Sequence, residues 1–158
     1  MRGSGYVFSL LKKGMTAFST VISIRWADID ANFHLRHSAY YDFGAQHRVD
    51  ILAQHGLTLD MMRELHIGPV LFREECLFKK EIRDGDKITI DLNLIKARKD
   101  YSRWSIRHTI LKNGDTVSAI VTVDGAWINT IQRKLTLPPP VAEKVFSEMP
   151  LDENFHWL

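Results

Sequence analysis

A polar segment between Asp28 and His37 carries the residue types best suited to chemistry. It contains two aspartates, two histidines and one arginine within ten residues. Carboxylate and imidazole groups suit general acid–base or nucleophilic chemistry. The segment precedes a predicted helix, whose first turn has free N–H groups and a partial positive charge that can stabilise an oxyanion. Asp30 lies just before this helix and is therefore the candidate general base or nucleophile.

The aspartates and histidines of this segment can also be explained by structural roles. Aspartates before a helix most often serve in turns or caps, and a loop histidine most often makes a structural hydrogen bond. The three-residue spacing of His34 and His37 also fits a pair of metal ligands. A metal site needs further ligands, and because no partner motif follows in the sequence, we expect no metal.

Length and composition narrow the function classes. The 158 residues indicate a single domain over residues 1–158, and a formal net charge of +2 is too small to favour nucleic acid. Cys76 is the only cysteine, which predicts a reducing, cytoplasmic location. The apolar run at 6–11 precedes two lysines, the reverse of a signal peptide, and residues 1–5 are either native or a vector remnant. No stretch approaches the roughly 18 apolar residues of a membrane span.

Hydrophobic periodicity predicts an α+β fold with one long helix. Residues 18–26 alternate as a half-buried strand, and residues 38–55 have helical spacing, with Ser38 as the N-cap and Gly56 as the stop. A short helix capped by Thr58, four antiparallel strands and a terminal helix follow: 58–66, 70–82, 87–98, 102–112, 116–130 and 141–148. A long helix cannot bury its apolar face alone, so we expect the sheet to wrap around it.

Turn residues and prolines mark the connections. Asp84-Gly85-Asp86 and Asn113-Gly114-Asp115 predict two hairpin turns. Pro138-Pro139-Pro140 cannot continue a strand, which places the core at about 16–135 and a C-terminal extension at 138–158. Exposed strand edges are commonly covered by pairing with another chain, so a homodimer is expected.

The polar segment also resembles a family signature. Asp28-Ile29-Asp30-Ala31-Asn32-Phe33-His34-Leu35-Arg36-His37, after Arg25-Trp26, is similar to the D-x-D-x-x-G-H-V-N-N signature of 4-hydroxybenzoyl-CoA thioesterase-like hotdog proteins. Phe78, with Gly85-Asp86 seven positions later, resembles a second feature of that family, and the order of elements matches from about residue 18 to 131. The resemblance implies a hotdog fold, an antiparallel sheet around a long central helix, and an acyl-CoA thioesterase that releases free acid and CoA.

The resemblance also implies roles for single residues. Asp30 matches the catalytic carboxylate, which activates water or attacks the thioester directly. His34 matches the motif histidine, and His37 is expected close to the thioester, where one of the two orients substrate or water. Backbone N–H groups near Arg36 and His37 match the groups that polarise the thioester carbonyl.

Two positions depart from the signature. Phe33 replaces the family's glycine, which narrows or reshapes the pocket. Arg36 replaces the first asparagine and either binds an acidic acyl group or pairs with an aspartate. Together with Tyr40, these residues are predicted to line the acyl pocket.

A charged run at 96–103 is the second candidate site. Such a run at a strand end is most often a solvated turn, but the resemblance implies that Arg98, Lys99 and Ser102 bind the CoA phosphates, since the guanidinium fork suits phosphate geometry. No cofactor is required, because CoA is part of the substrate. The family's assemblies predict a homodimer or a homotetramer.

Other interpretations remain open. The departures at Phe33 and Arg36 allow a non-catalytic acyl-CoA or fatty-acyl binding protein on the same fold. A hydratase or dehydratase is disfavoured, because its usual Asp/His motif is not seen. Glu74 and Glu75 lie on a predicted strand and are interpreted as structural or pocket-lining, and Cys76 is expected to pack in the sheet.

Overall fold

The structure, a computed structural model, describes residues 15–158. The predictions about residues 1–5 and about the apolar run at 6–11 lie outside the described residues. In the part of the chain that the structure describes, no helix is both long and apolar enough to span a membrane.

One long helix, two shorter helices and eight strands occur within residues 15–158. The helices are α1 (His37–Gln54), α2 (Leu59–Glu64) and α3 (Pro140–Glu148). The strands are β1 (Thr20–Ile22), β2 (Ile67–Phe78), β3 (Ile88–Ile90), β4 (Asn93–Ala97), β5 (Arg103–Lys112), β6 (Thr116–Asn129), β7 (Lys134–Leu135) and β8 (Leu151–Trp157). A single turn of 3-10 helix, Trp26–Asp28, follows β1.

The strands form one mostly antiparallel sheet. From one edge the order is β2, β6, β5, and β5 then pairs with both β3 and β4. β1 extends the sheet beyond β3, whereas β8 runs parallel to β4. The short β7 pairs with the end of β6. Among the described strands β2 pairs only with β6, so its other side is a free edge.

Two hydrophobic clusters hold α1 against the sheet. The C-terminal half of α1 contributes Ile51 to a cluster that includes Trp104 and Trp127. The N-terminal half contributes Tyr40 to a second cluster, which includes Ile88. Alternate strand residues point to one face, and this period of two places the apolar sheet residues towards the helix. The curled antiparallel sheet with its helix confirms the predicted α+β hotdog fold.

The first predicted strand, 18–26, is shorter than expected. It ends at Ile22, and residues Trp26–Asp28 form the 3-10 turn instead. The carboxylate of Asp28 accepts the backbone N–H of Arg25 at 3.0 Å, which satisfies a group that a continuing strand would pair across the sheet.

The predicted strand 87–98 is interrupted in the middle. β3 ends at Ile90 and β4 begins at Asn93. Between them, Oδ1 of Asp91 accepts the backbone N–H of Thr109 at 2.9 Å, so a side chain replaces a carbonyl in the ladder. The remaining strands agree more closely: β5 and β6 lie within one residue of their predicted bounds, and β2 is shifted towards the N-terminus relative to 70–82.

One of the two predicted hairpins is wrong. Gly85 has a φ of +88° and turns the chain, but the strands on either side do not pair, because β2 pairs with β6 and β3 with β5. The second hairpin is confirmed. Lys112 pairs with Thr116, and Asn113 and Gly114 have φ values of 52° and 104° in the turn between them.

The helix ends follow the predicted signals only in part. Helix α1 begins at His37 with Arg36 as its N-cap, so the prediction of Ser38 as the cap is wrong. The hydroxyl of Ser38 instead accepts a hydrogen bond from the guanidinium of Arg36. The stop at Gly56 is confirmed by its φ of +100°. The Thr58 cap of α2 is also confirmed, since its hydroxyl accepts the Met61 N–H at 3.2 Å.

The C-terminal extension contributes to the core. Helix α3 matches the predicted helix at 141–148, and its Phe146 is fully buried with Trp104 and Trp127. The hydrophobic core therefore includes side chains beyond residue 135, where the sequence analysis placed its end. Strand β8 was not predicted, because Glu153 interrupts an already short apolar alternation.

Candidate active site

Asp28 anchors the loop between β1 and α1. Its side chain is fully buried, and its two oxygens accept from the Arg25 guanidinium at 2.8 and 3.1 Å. The guanidinium of Arg36 lies 3.6 Å from the same carboxylate. The hydrogen bonds from Arg25 lower the pKa of Asp28, with its burial acting in the opposite direction. Asp28 therefore has a structural role in stabilising this loop, as turn aspartates usually do.

Asp30 is the exposed aspartate of the loop. Its Oδ1 accepts the backbone N–H groups of Asn32 at 2.8 Å and His34 at 3.3 Å, which closes a tight turn. Its Oδ2 has no hydrogen-bond donor within residues 15–158. One oxygen therefore fixes the orientation of the carboxylate, and the other is available to accept a hydrogen bond from a water molecule.

Phe33 occupies the position where a glycine is expected, and its backbone shows why. Its φ is +62°, in the left-handed region that glycine adopts without cost. Its N–H donates to the carbonyl of Asp30 at 3.0 Å, which fixes the turn. The ring is 78% exposed. Within a single protomer Phe33 is therefore a surface residue, and its predicted place in the acyl pocket stays a prediction.

The two loop histidines have different surroundings. Nε2 of His34 lies 3.2 Å from a carboxylate oxygen of Glu81, so this ring faces the start of the connection to β3. His37 is exposed at the first position of α1, and its ring has no hydrogen-bond partner within the described residues. No group of three or more potential metal ligands occurs in the described part of the chain.

Arg36 is held by aspartates. Its guanidinium pairs with Asp42 at 3.1 Å and lies near Asp28, and its Nε donates to the carbonyl of Ala27 at 3.3 Å. Arg36 was expected either to bind an acidic acyl group or to pair with an aspartate, and the structure shows the pair with an aspartate. These partners also position the start of α1 relative to the loop.

The start of α1 supplies the candidate oxyanion donors. Of the predicted N–H groups near Arg36 and His37, that of Arg36 donates to the carbonyl of Asp28 at 2.7 Å and is therefore not available to a thioester carbonyl. The N–H groups of His37 and Ser38 have no acceptor within residues 15–158. Free N–H groups at a helix start carry partial positive charge, and they lie at the same end of α1 as Asp30.

Tyr40 lies one turn into the helix. It is buried against Phe78 in a T-shaped contact with ring centroids 5.1 Å apart. Burial raises the pKa of its hydroxyl. Tyr40 therefore forms an apolar wall beneath the helix start, and Phe78, half exposed on β2, continues that wall to the surface.

The predicted CoA-binding residues lie together at the turn between β4 and β5. Arg98 and Lys99 are exposed. The N–H of Ser102 donates to Asp100 at 2.9 Å, while its hydroxyl is buried without a hydrogen-bond partner in the described residues. Tyr101 between them has a φ of +54° and makes a tight turn possible. Two cations thus project from a defined turn, a geometry suited to phosphate.

A family model described as the thioesterase-like superfamily matches residues 24–146. This range is most of the chain and includes the Asp30 loop, α1 and the sheet. The chain belongs to the thioesterase-like superfamily. The resemblance drawn from the signature is therefore confirmed, and with it the expected enzyme class of the family. No curated protein matches the chain at a significant level.

Solved structures with the same fold include several thioesterases. A hypothetical protein from Staphylococcus aureus in complex with CoA has 21% sequence identity and a TM-score of 0.76, covering 85% of this chain and 87% of that one. A 1,4-dihydroxy-2-naphthoyl-CoA thioesterase from Synechocystis has 14% identity and a TM-score of 0.74, covering 83% and 96%. A gentisyl-coenzyme A thioesterase has 18% identity and a TM-score of 0.71, covering 81% and 98%. At these identities the likeness establishes the fold.

The thioesterase fold of this chain also contains a buried polar cluster that the sequence analysis missed. Nδ1 of His47 lies 3.1 Å from Nδ1 of His108, and Nε2 of His108 lies 3.3 Å from the guanidinium of Arg48. Arg48 in turn donates to Glu74 at 3.2 Å. Burial lowers the pKa of His47 to about 4 and holds that of His108 well below its usual value. Both rings are therefore neutral near pH 7.

A sequence signal for this cluster exists. His47 lies at helical spacing from Tyr40 and Ile51 in the predicted helix, and His108 falls on the apolar face of β5 between Ile106 and Ile110. A polar side chain on a buried face needs a partner. If the helix and the strand face each other, the two histidines are expected to be partners. Glu74 is confirmed as structural or pocket-lining, since it pairs with Arg48.

Cys76 packs in the sheet as expected. It lies half-buried against the second hydrophobic cluster, and burial raises the pKa of its thiol to about 11. The thiolate is the nucleophilic form of cysteine, so Cys76 is inert near neutral pH.

Proposed function

We propose that the protein hydrolyses acyl-CoA thioesters to a free acid and CoA. The observation that carries this proposal is the arrangement of Asp30: one oxygen is fixed by the turn, and the other is free at the end of α1 that also presents two N–H groups. A base or nucleophile beside oxyanion donors is the arrangement that acyl transfer requires.

In the proposed reaction, Oδ2 of Asp30 takes a proton from water, and the resulting hydroxide attacks the thioester carbonyl. The N–H groups of His37 and Ser38 hold the oxyanion that forms. The C–S bond then breaks, the thiolate of CoA takes the proton that Asp30 removed from water, and the free acid leaves, so Asp30 is again a carboxylate. His37, exposed at the helix start, is proposed to orient the water or the thioester, and His34 to support the loop through Glu81. Direct attack by Asp30 is the alternative first step.

An acyl-CoA is the proposed substrate because related folds act on such compounds. The names of two structural neighbours state CoA thioesterase activity, and a third neighbour is described in complex with CoA. In this chain we propose that Arg98, Lys99 and Ser102 bind the CoA phosphates. Phe33, Arg36 and Tyr40 are proposed to lie along the acyl group next to the thioester. CoA enters as part of the substrate, and the proposed chemistry uses no other cofactor.

A homodimer formed through β2 is part of the proposal. This strand is 12 residues long and has a free edge in the described residues, with Phe72, Leu77 and Phe78 half exposed along it. A long apolar edge of this kind is normally paired or covered. Two such dimers would give the proposed tetramer. A cytoplasmic location is proposed from the single free thiol.

A second candidate function is binding of acyl-CoA without hydrolysis. One observation favours it: Oδ1 of Asp30 accepts two backbone N–H groups, which is also the geometry of an aspartate that only closes a turn. In that case the N–H groups of His37 and Ser38 would bind the thioester carbonyl without a base to activate water.

Thiol release from acetyl-, decanoyl- and benzoyl-CoA distinguishes the two functions. The proposal predicts turnover of at least one substrate by the wild type, and a loss of roughly 100-fold or more in Asp30→Asn. Asparagine keeps Oδ1 and hence the turn, so the loss would report the missing carboxylate. Binding of these thioesters without hydrolysis by the wild type would establish the binding protein instead.

A further inference from the structure

The connection between β2 and β3 lies against the Asp30 loop. The backbone N–H of Leu35 donates to the carbonyl of Ile82 at 2.8 Å, and His34 forms an isolated antiparallel bridge with Arg83. Leu35 and Ile82 are buried together in the second hydrophobic cluster. The backbone pairing therefore has an apolar anchor of its own, which does not depend on the polar side chains nearby.

Glu81, on this connection, is restrained on several sides. Its Oε2 lies 3.2 Å from Nε2 of His34. Its Oε1 accepts from Nε of Arg83 at 3.0 Å, and its backbone carbonyl accepts from the ammonium group of Lys112. A carboxylate on an exposed loop is normally free to rotate, but Arg83 and Lys112 hold this one so that it presents Oε2 to the histidine ring.

His34 connects this contact to Asp30 through its backbone. Its carbonyl accepts the N–H of Asp30 at 2.9 Å, and its own N–H donates to Oδ1 of Asp30 at 3.3 Å. The other donor to Oδ1, the N–H of Asn32, lies at 2.8 Å. The bond from His34 is the longer of the two, so a small displacement of His34 would break it first. The carboxylate would then be held by Asn32 alone.

Tyr40 lies near both carboxylates. Burial is the largest cause of the raised pKa of its hydroxyl, and the charges of Asp30 and Glu81 are among the further causes. Coulombic interactions weaken with distance, so both charges lie close to this hydroxyl, one turn into α1. Glu81 therefore belongs to the surroundings of the proposed reaction, although it lies on neither the Asp30 loop nor the helix.

We infer that Glu81 is a positioning residue for the proposed hydrolysis and acts on Asp30 through His34. Glu81 holds the ring of His34, and the backbone of His34 holds Oδ1 of Asp30. Oδ2 is thereby kept in the direction from which it activates water. The kinetic part of this inference rests on the proposed function, whereas the chain of contacts from Arg83 to Asp30 belongs to the structure alone.

The inference predicts a change in turnover rather than in binding or folding. Glu81→Ala releases the ring of His34, while Leu35 and Ile82 keep the backbone pairing, so the melting temperature should stay within a few degrees of wild type. Misplacing a reacting group by about 1 Å can cost roughly 100-fold in rate. Because Asn32 still holds Oδ1, kcat should fall less, roughly tenfold, with KM within about twofold of wild type.

Glu75→Ala is the matched control. Glu75 also pairs with an arginine two residues away, Arg73, and its side chain is 43% exposed, against 46% for Glu81. Side chains alternate along a strand, and Glu74 pairs with Arg48 of α1, so Glu75 points away from the helix. Glu75→Ala should keep the wild-type kcat and KM.

Two kinetic results would overturn the inference. One is a wild-type kcat in Glu81→Ala, or a fall in kcat that is matched by Glu75→Ala. The other is a rise in KM alone in Glu81→Ala, which would make Glu81 a residue that binds substrate rather than one that positions Asp30.

A double-mutant cycle tests whether Glu81 acts through His34. His34→Ala removes the ring but keeps the backbone groups that bond to Asp30. Substitutions of residues that act as a unit are not additive, so Glu81→Ala should lower kcat no further when His34 is already alanine. A further loss as large as that in the wild-type background would overturn the route through His34.

Amide hydrogen exchange gives a test that does not need turnover. The N–H of Asp30, which donates to His34, should exchange several-fold faster in Glu81→Ala than in the wild type, and at the wild-type rate in Glu75→Ala. An unchanged rate in Glu81→Ala would overturn the inference. If the wild type hydrolyses no acyl-CoA, the proposed function fails and the catalytic role of Glu81 with it, and the exchange rates then decide whether Glu81 positions the Asp30 turn.

Discussion

Helix α1 and the loop just before it carry two groups of polar residues, and only one of these groups is open to water. At its N-terminal end Asp30 and His37 are exposed. In its middle, His47 is buried against His108, and Arg48 pairs with Glu74. An exposed carboxylate remains accessible to water and ligands, whereas buried imidazoles stay neutral and need fixed partners. Polar residues at the start of the helix are therefore proposed to take part in catalysis, whereas those in its middle contribute to stability.

The largest expected effect is a loss of folding stability at acidic pH, caused by the buried histidines in the middle of α1. The lowered pKa values of His47 and His108 mean that the unfolded chain binds protons at a pH where the folded chain does not. The resulting stability is fully present above about pH 6.5 and is lost as the pH falls towards about 4. His47 alone, with its pKa lowered to about 4, corresponds to about 3 kcal/mol.

Urea unfolding between about pH 7 and about pH 4.5 measures this loss. His47→Gln should flatten the dependence, and His156→Gln, at an exposed position, should leave it unchanged. The lowered pKa of Asp28 acts below its ordinary value of 3.8, outside this window. The same pH dependence of the free energy of unfolding in the wild type and in His47→Gln would show that His47 does not carry this effect.

Removing the charge partner of Arg48 should lower the free energy of unfolding nearly as much as acid does. Glu74→Ala leaves the guanidinium, with 12% of its side chain exposed, without its carboxylate. Breaking a buried pair costs roughly 3 kcal/mol or more, and the partial exposure of Glu74 favours the lower value. Glu75→Ala is the control, because its pair with Arg73 lies on the surface and contributes at most about 1 kcal/mol. Equal losses of stability in the two variants would contradict a core role for Glu74.

The smallest expected change in the free energy of unfolding comes from Phe33, in the loop before α1. Phe33→Gly should raise the free energy of unfolding by about 1 kcal/mol, because it removes the strain of a φ of +62°. Phe33→Ala keeps the strain but loses the exposed ring, so it should not be stabilising. Thermal unfolding of both variants measures the difference. A destabilised Phe33→Gly would indicate that the ring makes contacts, as in a dimer, that outweigh the backbone strain.

The sequence predicted the features that depend on local pattern. The alternation of Trp104, Ile106 and Ile110 predicted β5, and Asn113-Gly114-Asp115 predicted the hairpin after it, because strand faces and turn conformations follow from neighbouring residues. The resemblance predicted the fold from the segment around Asp30. It also indicated a special position at Phe33, which the left-handed backbone there explains.

Features that depend on distant contacts were missed. Asp91 breaks a strand by bonding to Thr109 of the next one, which no local pattern shows. The pairing of β2 with β6 rather than β3 is a matter of topology, so Gly85 correctly predicted a turn but not a hairpin. The contribution of Phe146 to the core was missed because Pro138-Pro139-Pro140 was interpreted as the end of the core, whereas the chain after these prolines packs back against it.

Asp28 and Asp30 give the most direct test of the account, because they are two residues apart and are assigned opposite roles. Asp30→Asn should lower kcat for acyl-CoA hydrolysis by roughly 100-fold or more while leaving the melting temperature within a few degrees of wild type. Asp28→Asn should lower the stability by about 1 to 3 kcal/mol while the folded protein keeps most of its kcat. Wild-type kcat in Asp30→Asn would contradict a catalytic role for Asp30. Loss of hydrolysis in Asp28→Asn alone, in a protein of unchanged stability, would contradict a structural role for Asp28.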